Sequence, residues 1–159
     1  MNVRIEGEKI ILRSVDSSDI DTILLWENTN DDPLYGVYEE RYTREDVAGF
    51  IENQQRYSLA ENEQIRLMIC SREGERLGCV DLAEYDGRKD FVSILIFDSG
   101  NRGKGLGYEA LQILISYAES LGLHSLYAMI YPDNMASISL FEKAGFLPLS
   151  AMLYCRKMK

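Results

Sequence analysis

The sequence of 159 residues has one histidine, three prolines, three cysteines and one tryptophan. With His124 alone and no closely spaced cysteine pair, a structural zinc site lacks ligands, and no metal is expected. Cys70, Cys79 and Cys155 cannot all pair with one another, so reduced thiols are expected, at least two of them in strands. No run of about 18 apolar residues occurs, which leaves nothing to span a membrane. The opening MNVRIEGEKIILR has no long apolar stretch before its charges, so no signal peptide is expected and the protein should be cytoplasmic. Basic residues are also scarce: 17 Lys and Arg stand against 26 Asp and Glu, a net charge of −9. That excludes a general polyanion binder, so neither nucleic acid nor a membrane surface is an expected partner. An anionic ligand must be held by a local device, whereas a cationic one is drawn by the whole molecule.

What is present suits a folded globular protein. Apolar residues make up 46% and charged residues 27%. The length is that of one domain, taken as residues 1–159 with its core at about 9–157. Residues 9–15 (KIILRSV) predict a strand. Asp16 with Asp19 resembles a capped helix start, followed by an apolar face of Ile20, Ile23, Leu24 and Trp26. Residues 28–42 are polar, acidic and Tyr-rich, as in a loop. Thr43 with Asp46 opens a second helix, buried through Val47, Phe50 and Ile51. The period then changes. Residues 65–71, 76–85 and 90–98 read as strands joined by turns at 73–75 and 86–88, an antiparallel meander. From Gly103 the helical spacing returns in Leu106, Ala110, Ile113, Leu114, Tyr117 and Leu121, with Gly122 as its stop. Residues 125–131 form a strand and 136–144 a helix, closed by Gly145 with Phe146 placed for an apolar cap contact. Residues 149–157 form the last strand. The order of elements is α+β.

The stretch with chemical meaning is Ser99-Gly100-Asn101-Arg102-Gly103-Lys104-Gly105-Leu106-Gly107, where a strand runs through a glycine turn into a long helix. The first turn of a helix leaves amide N–H groups without partners, and the macrodipole adds about half a positive charge there. Glycines let an anion approach these amides. A nucleotide-triphosphate loop does not fit, because Gly105 follows Lys104 where Ser or Thr is needed. A dinucleotide fingerprint does not fit either, because Tyr108 stands where its third glycine belongs.

The pattern that does fit is Arg-x-x-Gly-x-Gly, from Arg102 through Gly105 to Gly107. With it the chain resembles the GNAT superfamily of acyl-CoA-dependent N-acetyltransferases. A second segment, from Asn134 and Ser137 through Phe141 to Lys143-Ala144-Gly145-Phe146, is similar to another signature of that family. The resemblance implies a mixed, mostly antiparallel central sheet of about six to seven strands flanked by four helices. It implies acetyl-CoA as co-substrate, with its diphosphate on Arg102, Gly103, Lys104, Gly105, Leu106 and Gly107. The pantetheine arm would pair with the backbone of Ile96, Phe97 and Asp98, where two strands part, and lie near Asn134, Ser137 and Phe141.

Family members often carry a Glu near the start of the fourth strand and a Tyr in the last helix. The corresponding residues here are Val92 and Phe141. Amine attack on a thioester needs a base for the amine and an acid for the thiolate. Glu84 is the preferred base over Asp81, since three residues of separation put the two on opposite faces of a strand. Tyr131, Tyr108 and Tyr154 are the candidate acids, with Tyr131 placed first. Residues 77–86 resemble a strand of bacterial spermidine acetyltransferases. Tyr38, Glu39 and Glu40 resemble the segment that lines the acceptor site in those enzymes.

The implied reaction is direct acetyl transfer in a ternary complex to a primary amine, with a polyamine or other small cationic amine favoured by the acidic balance. A peptide N-terminus, as in ribosomal-protein acetyltransferases, and a silent coenzyme A-binding module are the alternatives. A homo-oligomer is compatible with each.

Overall fold

A computed structural model describes residues 2–29, 42–84, 86–96 and 104–158. Eight strands and five helices follow in the order β1 (Arg4–Glu6), β2 (Ile10–Ser14), α1 (Ile20–Thr29), α2 (Arg44–Arg56), α3 (Leu59–Asn62), β3 (Gln64–Ser71), β4 (Arg76–Ala83), β5 (Lys89–Ile96), α4 (Leu106–Ser120), β6 (Ser125–Met129), α5 (Met135–Lys143), β7 (Leu147–Pro148) and β8 (Leu153–Lys157). The strands form one sheet in the order β1-β2-β3-β4-β5-β6-β8-β7. Among the described residues only β5 and β6 run parallel, because α4 carries the chain back over the sheet between them.

Strand and helix numbers both exceed the expected six to seven and four. The additions are β1, β7 and α3, each too short to show a period. Before β2, β1 pairs Ile5 with Leu12, so the sheet begins ahead of residue 9. The last strand is also shorter than expected, since the chain first folds back at Pro148, which pairs with Tyr154.

Helices cover both faces of the sheet. On one face, α4 buries Ala110, Leu111, Leu114, Ile115 and Ala118 against Leu67, Val80, Leu82, Val92 and Leu126. Full burial of a leucine such as Leu111 or Leu114 stabilises by about 1.5–3 kcal/mol. On the other face, α1 and α2 bring Ile23, Trp26, Val47 and Ile51 onto Met68 and Cys70 of β3. All three cysteines are buried in strands and unbridged. Among the described residues no helix is long and apolar enough to cross a membrane.

The helix ends follow their local chemistry. Thr43 and Asp46 form the expected reciprocal cap of α2. Asp16 and Asp19 form one as well, although it opens a 3-10 turn (Ser17–Asp19) that leads into α1. At the end of α5, Gly145 has φ +93 and the Phe146 N–H donates to the Phe141 carbonyl at 3.0 Å. The Phe141 and Phe146 rings then meet edge to face at 5.0 Å, which is the predicted apolar contact.

Candidate active site

The parallel ladder between β5 and β6 is short. It joins Lys89, Asp90 and Phe91 to Ser125, Leu126 and Tyr127. Beyond Phe91, β5 stays with β4 through Ile96, while β6 stays with β8 through Met129. The two strands therefore part. Among the described residues nothing pairs with the β6-side edge of β5 from Val92 to Ile96. The backbone from Phe91 to Ile96 spans about 17 Å of this opening.

At the open end stands the start of α4. Its N-cap is Gly105, with φ +79 and no side-chain cap. The α2, α3 and α5 starts are instead capped by Thr43, Ser58 and Asn134. Lys104 is exposed beside Gly105, and Leu106 and Gly107 are half-buried. Phe97, Asp98, Arg102 and Gly103 lie outside the described residues, as do Tyr38, Glu39 and Glu40.

The opposite arm of the cleft carries the second signature. Asn134 caps α5, its side-chain oxygen accepting the Ser137 N–H at 3.2 Å. The Asn134 N–H donates to the Tyr131 carbonyl at 3.0 Å, which ties the cap to the turn after β6. The Tyr131 side chain is exposed there. Phe141 is buried in the core, so a ring without a hydroxyl fills that position. Tyr154 is buried, and the Tyr108 ring lies under the Lys143 ammonium at 4.2 Å.

The acidic candidates separate clearly. Asp81 on β4 faces Arg66 directly across the β3–β4 ladder. Its two oxygens accept from Nε and a terminal nitrogen of Arg66, each at 2.8 Å. The same guanidinium donates to Glu27 of α1 at 3.0 Å and lies over the Phe50 ring. Burial opposes its charge, but Asp81 and Glu27 hold it protonated. Asp81 is therefore a buried partner that fastens α1 to the sheet.

Glu84 differs from expectation. It lies one residue past the end of β4 with φ +60, exposed, rather than within the strand. Alternation of side chains therefore does not set its direction. It sits by the start of β5, because Ala83 pairs with Phe91 at the apex of the opening.

One acid was missed by sequence reasoning. Asp90 is fully buried in the middle of the three-residue parallel ladder. Its Oδ1 accepts the Phe91 N–H at 3.0 Å, and its Oδ2 has no hydrogen-bond partner. Burial raises its carboxyl, the Phe91 N–H pulls it back, and the charges of Asp86 and Glu84 push it further, up to about 7. A charged residue at the head of an apolar strand was the available signal, but it equally suits a turn boundary.

A glycine-capped helix at the mouth of a cleft between two parting parallel strands is the arrangement implied above. The model of the GNAT acetyltransferase domain matches residues 9–147. The chain belongs to the GNAT acetyltransferase family. As a GNAT domain it resembles the ribosomal-protein-S5-alanine acetyltransferase of Vibrio fischeri, with a TM-score of 0.81 and 20% identity over 98% of this chain and 96% of that one. The spermidine N-acetyltransferase of Vibrio cholerae, solved with CoA and spermine, gives 0.77 and 20% over 91% and 84%. At such identities the likeness speaks for the fold. The L-methionine sulfoximine/L-methionine sulfone acetyltransferase of Pseudomonas aeruginosa is 39% identical over 85 residues, 50% of this chain and 49% of that protein. The chain spans between 28% and 49% of the length of four curated relatives that it matches.

Proposed function

We propose that this chain is an acetyl-CoA-dependent N-acetyltransferase acting on a small cationic amine such as a polyamine. The observation that carries the assignment is the parting of β5 from β6 beyond Phe91, with the uncapped start of α4 at its mouth. The first amides of α4, from Leu106 on, meet no side-chain cap and suit a diphosphate, with Lys104 beside them and Arg102 and Gly103 just ahead. The exposed β5 edge supplies N–H and C=O groups for the two amides of pantetheine. This role extends from Ile96 to Phe97 and Asp98. Asn134 uses its carbonyl in the α5 cap, which leaves its Nδ2 to donate towards the pantetheine arm, and Ser137 and Phe141 of the same helix are proposed to line that arm.

A thioester laid along β5 ends near the apex, where Glu84 is an exposed carboxylate one residue past β4. The amine nitrogen attacks the thioester carbonyl, the carbon–sulfur bond breaks, and the amine proton passes to Glu84 directly or through water. Tyr131, exposed on the opposite arm, is the proposed donor to the departing thiolate. Tyr38, Glu39 and Glu40 are proposed to hold the cation. No metal enters the scheme.

A peptide N-terminus is the second reading, and one observation favours it. Met129 and Leu147 are exposed on one face of the β6-β8-β7 arm, where an apolar peptide side chain could rest.

Labelled acetyl-CoA offered with spermidine and with N-terminal peptides in parallel decides between them. Transfer to spermidine is expected, and transfer to peptides alone eliminates the polyamine. With spermidine, Glu84→Gln is expected to lower kcat about 100-fold, while calorimetry shows unchanged CoA affinity. Undiminished turnover in that variant removes Glu84 as base. No turnover with any amine, alongside tight CoA binding, leaves the silent coenzyme-binding module.

A further inference from the structure

The turn between β1 and β2 is pressed onto the first turns of α4. A Cβ at Gly7 would come within 2.6 Å of Glu109 Oε1 and 2.8 Å of Ile113, so the turn lies close against these two side chains. The Lys9 backbone N–H donates to both oxygens of Glu109, at 3.0 and 3.1 Å. From this anchored position the Lys9 side chain reaches along α4. Its ammonium donates to the Lys104 carbonyl at 3.4 Å and lies 3.7 Å from where a Cβ on Gly105 would stand.

That placement brings groups of like charge to one helix start. The positive end of the α4 dipole, the Lys104 ammonium and the Lys9 ammonium all carry the same sign. A third ammonium, Lys143, lies over Tyr108 in the same helical turn. Glu109 offsets one charge, and both of its oxygens already accept from Lys9 N–H. In a chain of net charge −9, basic residues gathered at one helix start suit an anionic ligand.

We infer that Lys9 binds the diphosphate of the coenzyme A donor, held in place by Glu109, and so completes the α4 site from a separate part of the chain. The inference rests on the coenzyme A site proposed above. One lysine, delivered across about a hundred residues of sequence, adds a charge-assisted contact to the neutral amides at the start of α4.

Calorimetry with CoA and with 3′-dephospho-CoA tests it on the wild type, Lys9→Met and Lys9→Arg. In Lys9→Met, affinity for both ligands is expected to fall about tenfold, with a shallower salt dependence and an unchanged thermal midpoint. Lys9→Arg is expected to restore most of the loss. Wild-type affinity in Lys9→Met overturns the inference. A loss confined to CoA also overturns it, by placing Lys9 on the 3′-phosphate. A loss that arginine does not rescue, with a lowered thermal midpoint, shows a purely structural turn residue and overturns it too. If the wild type itself binds neither ligand, the coenzyme A site fails as a whole and Lys9 with it.

Discussion

Asp90→Asn is expected to stabilise the protein at pH 8 but to destabilise it by about 2 kcal/mol at pH 4, where the buried acid is already neutral and the amide lacks an acceptor. The carboxyl of Asp90 is fully buried, one oxygen has no partner, and its pKa is pushed up to about 7. An unfolded aspartate titrates near pH 4. Below that pH both states carry the proton and nothing is gained or lost. Between pH 4 and 7 the unfolded chain releases its proton while the native chain keeps it, so native stability declines as pH rises. Above 7 the penalty is complete, at about 4 kcal/mol for a carboxyl raised from its ordinary value to about 7. Asparagine matches the protonated acid in shape and stays neutral. Its amide still needs an acceptor at this site, so a gain of about 2 kcal/mol at pH 8 is the expected net result. Urea unfolding at both pH values measures this. An equal effect at pH 4 and pH 8 would show that Asp90 does not hold its proton. The penalty falls on the three-residue ladder that closes the cleft, so ionisation weakens the joint between the two arms.

Features set by backbone and local chemistry were readable from residues alone. The Thr43–Asp46 cap, the Gly145–Phe146 helix end and the Gly105 start of α4 all involve neighbours a few positions apart, and glycine marks positive φ directly. The meander was legible because its alternation persists over strands of eight residues. Features set by register were not. Asp81 looked like a possible base until pairing put Arg66 opposite it, fifteen positions away in the chain. Glu84 continued an apparent strand, but φ +60 takes it out of the ladder, and no propensity announces such a turn at glutamate. Lys9 read only as the first residue of a strand, because its meeting with Lys104 and Glu109 depends on how α4 crosses the sheet. The three short elements were missed for a plainer reason. Two to four residues cannot display a period, and tertiary pairing alone makes them regular.

Asp19→Ala is expected to destabilise the protein by about 3 kcal/mol at neutral pH, the low end for losing one partner of a buried ion pair, because the two arginines left behind are only half-buried. Asp19 is as completely buried as Asp90, yet its surroundings are opposite. Arg13 donates to both of its oxygens at 2.8 Å, Arg76 donates through Nε at 2.6 Å, and the Asp16 N–H donates at 2.9 Å. Burial alone would raise this carboxyl, but the bonds from Arg13, Arg76 and Asp16 outweigh it and hold it below the ordinary value. The sign of the pH effect therefore reverses. The ion pairs stabilise the fold fully above about pH 4. That contribution disappears as acid protonates Asp19 through its lowered native pKa. Arg13 belongs to β2 and Arg76 to β4, so one carboxylate spans three adjacent strands from a turn ahead of α1. Chemical unfolding at pH 7 and pH 3 tests this. The wild type should lose much of its advantage over Asp19→Ala at the lower pH. A variant within 1 kcal/mol of wild type at pH 7, by the scale of exposed pairs, would mean that solvent already screens Arg13 and Arg76. Two aspartates of equal burial thus bias the fold in opposite directions with pH, because one meets two guanidinium groups and the other a single amide.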